Sequence, residues 1–589
     1  MWPYPQYVAR RYAEIEGMTV RLTRAEDGVS KLKGARVAST TLEACAKPMK
    51  GPFDRIPVEI LSQILEYATE EKSDSLDETD IRRRGFYYLS TYVAPSSLGA
   101  IMQVCSHWRA VALNTPNLWR RVDVYEHVEP LVTALDRSRS KMIDVSLHRA
   151  SGAQSALPLL AAHSRRLRKL SLHWLDDDKD KGELCEDLMD QVGQMDLPAL
   201  EELLVDDGET YWLGEVYALE LLLDPALLPS LRIVKLDTAY ISWSSMIFSQ
   251  LRVLHLQEVA VPPEEEVSLS TFLDILAACQ SLEELILVYA FPIAFSDFRQ
   301  GSIPEGPFAG RVVELPKLQL LHLQWGSIWR TPCETYQLLQ HLRLRSQTTV
   351  RIAVEYDQVV NPARSLLDVV PRDPTCLPIL STGTSVRVFV DQRNFTRFAV
   401  ESAIGNGDFT LLLANENDTD WPQWYGVDQQ LTDFCTIFAG SPRLIRLSIE
   451  TKGVSTVRLE SSLRRLHHLS AIEVTIGTTD GLKQLLDALA SPNCREETSS
   501  DTDNKNGVIV PHLRTLKLKT NSWHPELSSD IERCLEWRAR HGAELQELYI
   551  EAYGRERDAE GEVELGVQHT RQLGALQALV KGSVVFVDT

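Results

Sequence analysis

The chain has 589 residues and a formal net charge of −21, with 44% hydrophobic and 24% charged residues. This composition is that of a folded protein, and the length predicts several domains or an elongated repeat array. The negative charge argues against a nucleic-acid-binding surface, because such a surface needs clustered Lys and Arg. No apolar run is long enough to span a bilayer. Neither a nucleic acid nor a membrane is therefore expected as a partner.

The nine cysteines are spread along the chain and never form a CxxC pair. Their odd number and even spread favour neither a disulfide framework nor a zinc cluster. Free thiols of this kind are typical of a reducing compartment. The sequence therefore predicts a location in the cytoplasm, the nucleus or both.

Residues 1–50 are predicted to be an N-terminal extension that is partly helical. After it, Ile56-Pro57 predicts the start of a first helix, because proline at the first helical position loses no hydrogen bond and has its φ angle preset. The helix should end before the acidic run at 69–80. Its apolar residues recur at helical spacing and predict one stripe: Ile60, Leu61, Ile64, Leu65 and Ala68.

A second apolar series follows a polar stretch at about 70–97. The sequence S-H-W at 106–108 predicts a break between two short helices, and Thr115-Pro116 predicts the end of the second, because the residue before proline disfavours the helical region. Leu118 and Trp119 then add bulky apolar side chains. The apolar positions of the series are Leu98, Ile101, Met102, Cys105, Trp108, Val111 and Ala112.

The order Ile-Pro-x-Glu-Ile-Leu, Val-Cys-x-x-Trp-Arg and Pro-x-Leu-Trp resembles the F-box domain, notably that of fungal F-box proteins, over residues 53–124. The insert at about 70–97 is longer than the short turn usual in the family. The resemblance implies binding of a Skp-type adaptor and, through it, of a cullin. The same residues would also suit the core of an ordinary helical bundle. The positions that match the adaptor-facing pattern are Ile56, Pro57, Ile60, Leu61, Ile64, Val104, Cys105, Trp108 and Trp119.

A short motif recurs over the rest of the chain: leucine, two polar positions, an aliphatic residue, one further position and another aliphatic residue. Its alternation predicts a strand with one buried face. The stretch KMIDVSLH (141–148) predicts a further strand in a first, capping part of the array. The copies are LRKLSL (167–172), LEELLV (200–205), LRIVKL (231–236), LRVLHL (251–256), LEELIL (282–287), LQLLHL (318–323), LIRLSI (444–449), LSAIEV (469–474), LRTLKL (513–518) and LQELYI (545–550).

Helical stretches lie between the copies. One strand and one helix cannot bury their own apolar faces, whereas stacked neighbours form a parallel sheet lined by helices. The pattern over 125–589 resembles an irregular leucine-rich-repeat solenoid, so the predicted fold is α/β, a helical F-box followed by a horseshoe. The stretches are TFLDILAACQ (271–280), ETYQLLQHLRL (334–344), LTDFCTIFAGS (431–441), GLKQLLDALAS (481–491) and DIERCLEWRARHG (530–542).

The stretch 350–415 departs from the motif. VRIAVEY (350–356), SVRVFVD (385–391) and DFTLLLAN (408–415) are strand-like but lack the leading leucine. They are either degenerate repeats or an inserted β segment, and degenerate repeats are the preferred interpretation.

No nucleotide, hydrolase or metalloprotease motif occurs, so neither a catalytic site, a cofactor nor a metal is expected. The predicted function is that of a non-catalytic substrate-recognition subunit of an SCF-type cullin–RING ubiquitin ligase, with a protein target of unknown identity. The alternatives are a repeat scaffold without ubiquitin transfer and an enzyme hidden within 350–430.

Aromatic residues near predicted loops are candidates for binding the target: Trp325, Trp329, Trp421, Trp424 and Tyr425.

Overall fold

The chain divides into two compact units, a helical unit within Met1–Leu118 and a sheet unit within Trp119–Thr589. The predicted extension at 1–50 and nearly all of the predicted insert lie outside the described residues. The computed structural model describes residues 56–69, 97–173, 181–206, 219–257, 267–290, 311–325, 333–356, 369–371, 373, 375–391, 395–401, 407–415, 427–438, 443–452, 460–476, 479–491, 508–520, 525–552 and 574–588.

The described part of the helical unit contains helices α1 (Val58–Thr69), α2 (Ser97–Val104) and α3 (Ser106–Asn114). Helix α1 begins directly after Pro57, whose carbonyl accepts from the Leu61 N–H at 2.9 Å. The predicted break between two short helices is present, but it lies at Cys105 rather than within 106–108, which begin α3. The Cys105 Sγ accepts from the Trp108 N–H at 3.4 Å and so caps α3. Helix α3 ends at Asn114, before the predicted Thr115-Pro116 stop.

The sheet unit is rich in short strands. They are β1 (Arg121–Val124), β2 (Ile143–Leu147), β3 (Leu167–His173), β4 (Glu202–Asp206), β5 (Leu219–Glu220), β6 (Ile233–Asp237), β7 (Ala239–Tyr240), β8 (Val253–Gln257), β9 (Glu284–Val288), β10 (Val313–Glu314), β11 (Leu320–Trp325), β12 (Leu342–Arg343), β13 (Thr349–Tyr356), β14 (Ser385–Asp391), β15 (Phe395–Glu401), β16 (Asp408–Asn415), β17 (Arg446–Lys452), β18 (Ala471–Ile476), β19 (Thr515–Thr520), β20 (Glu547–Ala552) and β21 (Ser583–Asp588).

Helices alternate with these strands. They are α4 (Glu129–Arg137), α5 (Ala150–Ala161), α6 (Lys181–Gln194), α7 (Leu269–Ala278), α8 (Cys333–Gln340), α9 (Pro378–Thr382), α10 (Val427–Phe438), α11 (Glu460–Arg465), α12 (Thr479–Leu489) and α13 (Pro525–Arg540), with 3₁₀ turns at Pro116–Trp119, Ser164–Arg166 and Met246–Gln250.

Seventeen of the described strands form one sheet. Its spatial order is β1-β2-β3-β4-β6-β8-β9-β11-β13-β16-β15-β14-β17-β18-β19-β20-β21, and every pair is parallel except the two that include β15. The strands β5 and β7 form a separate pair, as do β10 and β12. The chain is therefore a mixed α/β protein with a large, mainly parallel sheet after a helical region.

The recurring motif supplies the core of the sheet unit. Each of the ten motif copies contains a strand of the sheet. In the first copy the leading Leu167 and the two aliphatic positions Leu170 and Leu172 are fully buried. The same three positions are buried in the last copy, at Leu545, Leu548 and Ile550. Alternation therefore predicted correctly which face of each strand is inside.

The preference for degenerate repeats is wrong over 385–415, where the structure has an antiparallel β meander, whereas VRIAVEY (350–356) lies in β13, which pairs parallel with β11 as a repeat strand would. Strand β15 pairs antiparallel with both β14 and β16, and β16 rather than β14 lies beside β13. The connections 392–394 and 402–407 are only three and six residues long. A parallel crossover needs a dozen or more residues, so these strands can pair only as hairpins. Over 385–415 the inserted β segment, which was the other interpretation, is the one observed.

One further boundary differs from the sequence-based expectation. The helix predicted over 334–344 ends at Gln340, because Leu342 and Arg343 pair as a strand with Val313 and Glu314. Pairing with a distant strand decides the conformation there. Residues 119–124, at the end of the stretch that resembles an F-box, belong to the sheet unit, where β1 pairs with β2.

Candidate functional site

The apolar stripe of α1 is divided between the interior and the surface. Leu61 and Leu65 are fully buried, whereas Ile60 is 47% exposed and Ile64 is 45% exposed. Each buried leucine follows an exposed isoleucine, and one residue turns an α-helix by about 100°. Tyr67, which is 73% exposed, lies three residues after Ile64 and shares its face. Helix α1 therefore presents an apolar strip of Ile60, Ile64 and Tyr67, here called the α1 strip.

Exposed apolar side chains are concentrated in these first helices. Twelve large hydrophobic residues are exposed in the described part of the chain, and five of them belong to α1 and α2. They are Val58, Ile60, Ile64, Tyr67 and Val104. The two helices have only twenty residues between them. Single exposed apolar residues are ordinary, but such a concentration is typical of a protein-binding surface.

Hydrogen bonds fix α1 against the end of α3 and the turn after it. The Ser62 Oγ lies 3.1 Å from the Thr115 Oγ1. One turn further along α1, the Asn117 amide Nδ2 donates to the Glu66 carboxylate at 3.0 Å. These contacts hold the side of α1 that faces away from the α1 strip. The strip is therefore displayed by a helix whose orientation is fixed.

The structure divides the predicted adaptor-facing residues into three groups. Pro57, Ile60, Ile64 and Val104 are exposed. The side chains of Ile56, Cys105 and Trp108 are partly exposed, and the role of Cys105 in capping α3 is a structural one. The remaining two residues, Leu61 and Trp119, are buried. The first two groups stay predicted binding residues.

Leu61 and Trp119, which were predicted to bind the adaptor, have no exposed side chain with which to contact it. Leu61 faces the interior because it lies one residue, about 100°, beyond Ile60 on the helix. Trp119 is 8% exposed and belongs to the sheet unit, where the Arg137 guanidinium lies 5.2 Å from its ring centroid. Both residues therefore act in packing in this structure.

Sequence reasoning missed two exposed residues of α1, Val58 and Tyr67. Tyr67 follows Ile60 by seven residues and Ile64 by three, so its place on the α1 strip could have been read from spacing alone. Val58 is 50% exposed and follows the predicted Pro57 directly.

The predicted target-binding aromatic residues lie almost entirely outside the described residues. This applies to Trp329, Trp421, Trp424 and Tyr425. Trp325 is the last residue of β11, and its backbone pairs in register with Val354 of β13. Their binding roles stay predictions.

Comparison with known protein families matches residues 53–125 to the F-box-like family. This range contains all three described helices of the helical unit. The chain thus carries an F-box-like domain, and such a domain implies binding of a Skp-type adaptor. Comparison with curated proteins finds no match. Among the described residues, no helix is both long and apolar enough to cross a bilayer.

Proposed function

We propose that this chain is the substrate-recognition subunit of an SCF-type cullin–RING ubiquitin ligase. The F-box-like domain binds a Skp-type adaptor and, through it, a cullin. The sheet unit binds a protein target. The chain supplies proximity between the target and the ubiquitin-charged enzyme, and other subunits perform the chemistry.

The α1 strip is the observation that carries this proposal. It lies within the residues that match the F-box-like family, and its three side chains are about half exposed or more. Covering the exposed part of one such side chain contributes about 1 kcal/mol. Together with Val104 of α2, the α1 strip offers roughly 4 kcal/mol, which corresponds to about a thousandfold in affinity.

The proposed target-binding role of the sheet unit follows from its repetition. We assign it as an irregular leucine-rich-repeat array, interrupted by the β14–β16 meander. Supporting this assignment, ten motif copies each place their leucine and aliphatic positions in one continuous core. Core positions of such an array are constrained, whereas the opposite face of its strands is free to vary with the partner.

The proposed non-catalytic role and intracellular location agree with the state of the cysteines. Six cysteines of the described residues are free thiols. Burial raises the pKa of Cys279 to about 12 and that of Cys534 to about 11. These thiols are protonated at neutral pH, and they act as core side chains rather than nucleophiles.

Adaptor binding is tested by changing the α1 strip. The double variant Ile60→Asp with Ile64→Asp should weaken binding of a purified Skp-type adaptor at least about 100-fold, because two apolar contacts are lost and two carboxylates must be desolvated. The affinity is measured by isothermal titration with the full chain. Unchanged affinity in a folded variant would refute the proposed surface.

A matched control is Ile445→Asp, which places the same charge at an isoleucine that is 50% exposed in the sheet unit. It should leave adaptor affinity unchanged. Ubiquitin transfer is tested separately, by comparing ubiquitylated proteins in cells that express the native chain or the double variant. Adaptor binding without any difference in ubiquitylation would favour the scaffold without ubiquitin transfer.

A further inference from the structure

The face of the sheet opposite to the core, here called the outer face, carries a row of nitrogen-bearing side chains. His255 of β8 lies between the core residues Leu254 and Leu256, and His322 of β11 lies between Leu321 and Leu323. Because successive strand residues point to opposite faces, both imidazoles lie on the outer face. The leucines directly before and after each histidine point to the core instead.

Strand register aligns these histidines with their neighbours. Lys235 pairs with His255, His255 with Ile286, Ile286 with His322, and His322 with Arg351. These five residues, here called the cross-strand row, cross β6, β8, β9, β11 and β13. Four strand spacings of about 4.8 Å give the row a length of about 19 Å. An extended peptide of about six residues has that length.

Two polar atoms, one in the cross-strand row and one next to it, lack a hydrogen-bond partner among the described residues. The Nε2 atom of His255 is one, in a residue that is only 6% exposed. The Oε1 atom of Gln324, two residues after His322 on the same face, is the other, in a residue that is 1% exposed. The Gln324 Nε2 donates to the Tyr289 hydroxyl at 2.9 Å, which fixes the amide. Unpaired buried polar atoms cost about 1–3 kcal/mol each, so a ligand that displaces the groups covering these two atoms and pairs with them recovers that energy.

The cross-strand row carries two cations, Lys235 and Arg351, which differ in their ion pairs. The Lys235 Nζ lies 3.7 Å from the Glu202 Oε1, a carboxylate that it shares with Lys169. The ion pairs found among the described residues do not include Arg351. Burial lowers the pKa of His255 to about 3 and that of His322 to about 4, with smaller contributions from nearby positive charge. Both imidazoles are neutral at pH 7, and Arg351 is the cation that is left to attract an anion.

We propose that the cross-strand row binds an extended peptide segment that carries an anionic side chain. The anion, a carboxylate or a phosphoryl group, pairs with Arg351. The peptide backbone supplies an N–H to the Gln324 Oε1 and a partner to the His255 Nε2. Ile286, in the middle of the row, gives an apolar contact. This proposal rests on the proposed role of the sheet unit in binding a protein target, and it names the chemistry of that target.

The test uses the full chain and four pools of labelled synthetic peptides of about ten residues. Each pool has a fixed central Asp, phosphoserine, Lys or Ala between randomised flanks, and binding is measured by fluorescence anisotropy. At least one anionic pool should bind about tenfold more tightly than the Lys and Ala pools, because a charged hydrogen-bonded pair is about that strong. Comparison of the two anionic pools identifies the anion. Equal binding of all four pools, or no binding of any, would overturn the proposal.

Arg351→Gln should remove the preference for anionic peptides, and Arg351→Lys should restore part of it. Gln324→Ala, on a strand next to β13, gives a second test with unchanged charge and should weaken binding of the preferred pool severalfold. The matched control is Arg387→Gln, which removes an exposed arginine from β14, the strand of the meander farthest from β13. Loss of preference in this control as well would overturn the site. Adaptor affinity is measured on the same samples, so that failure at the row is distinguished from failure of the proposed function.

Discussion

The helical unit and the sheet unit use the same kinds of apolar residue with different results. In the sheet unit, the leucine and aliphatic positions of the first and last motif copies are all inside. In α1, a stripe of similar residues is divided, with Leu61 and Leu65 inside and Ile60 and Ile64 outside. A strand turns successive side chains to opposite faces, so its apolar set is buried or exposed as a whole. A helical stripe is wide, and a small unit covers only part of it.

The two units therefore expose different kinds of side chain to a partner. The sheet unit buries the leucine and aliphatic positions of its motif and places polar groups such as His255 and Gln324 on the other face. The helical unit leaves apolar side chains uncovered, although each covered one would add stability. The first arrangement suits a polar ligand, and the second suits a protein that covers an apolar helix face.

The largest expected effect tests the division of α1. Leu61→Ala with Leu65→Ala should destabilise the helical unit by about 4–8 kcal/mol, because each change leaves a cavity. Ile60→Ala with Ile64→Ala is the matched control and should cost less than about 1 kcal/mol. Amide hydrogen exchange in the full chain should show loss of protection in α1 and α3 for the first variant alone. Equal loss in both variants would mean that the two sides of the helix are equally buried.

A smaller effect tests the two faces of one strand in the sheet unit. Leu285→Ala should destabilise the unit by about 3 kcal/mol, because Leu285 is fully buried in the core. Its neighbour Ile286 lies on the outer face and is partly exposed, so Ile286→Ala should cost about 1 kcal/mol or less. Denaturant unfolding followed by circular dichroism measures both. A larger loss for Ile286 would contradict the assignment of faces.

The smallest effect tests the buried histidines by pH. The pKa values of His255 and His322 are lowered from 6.5 to about 3 and about 4. Below pH 6.5 the unfolded chain therefore binds protons that the folded chain does not, and stability falls as the pH falls. Between about pH 7 and about pH 5.5 the two residues together should remove about 2 kcal/mol.

Denaturant unfolding of the native chain and of the variant His255→Gln with His322→Gln isolates this contribution, because the carboxylates are common to both. The variant should lose about 2 kcal/mol less than the native chain over the same pH range. The same loss in both chains would show that the imidazoles are not buried in the neutral form.

Prediction from the sequence worked best where local periodicity and tertiary packing agree. The motif copies were assigned correctly as strands because alternation sets their buried face whatever the neighbours are. It failed at the meander, where connection lengths of three and six residues decide between parallel and antiparallel pairing. It also failed at the end of α8, where Leu342 pairs with Val313 across distant sequence. Periodicity carries no information on which strands meet.

The amino-acid sequence by itself determined the helical start, the leucine motif and the net negative charge that argues against a nucleic-acid-binding surface. Each depends on spacing or residue type alone. Only the tertiary structure decided that Leu61 is covered while Ile60 is not, and that His255, His322 and Arg351 form one row. The reason is physical: exposure depends on which neighbours pack against a side chain, and alignment across strands depends on register. Both are settled by contacts between residues that lie far apart in the chain.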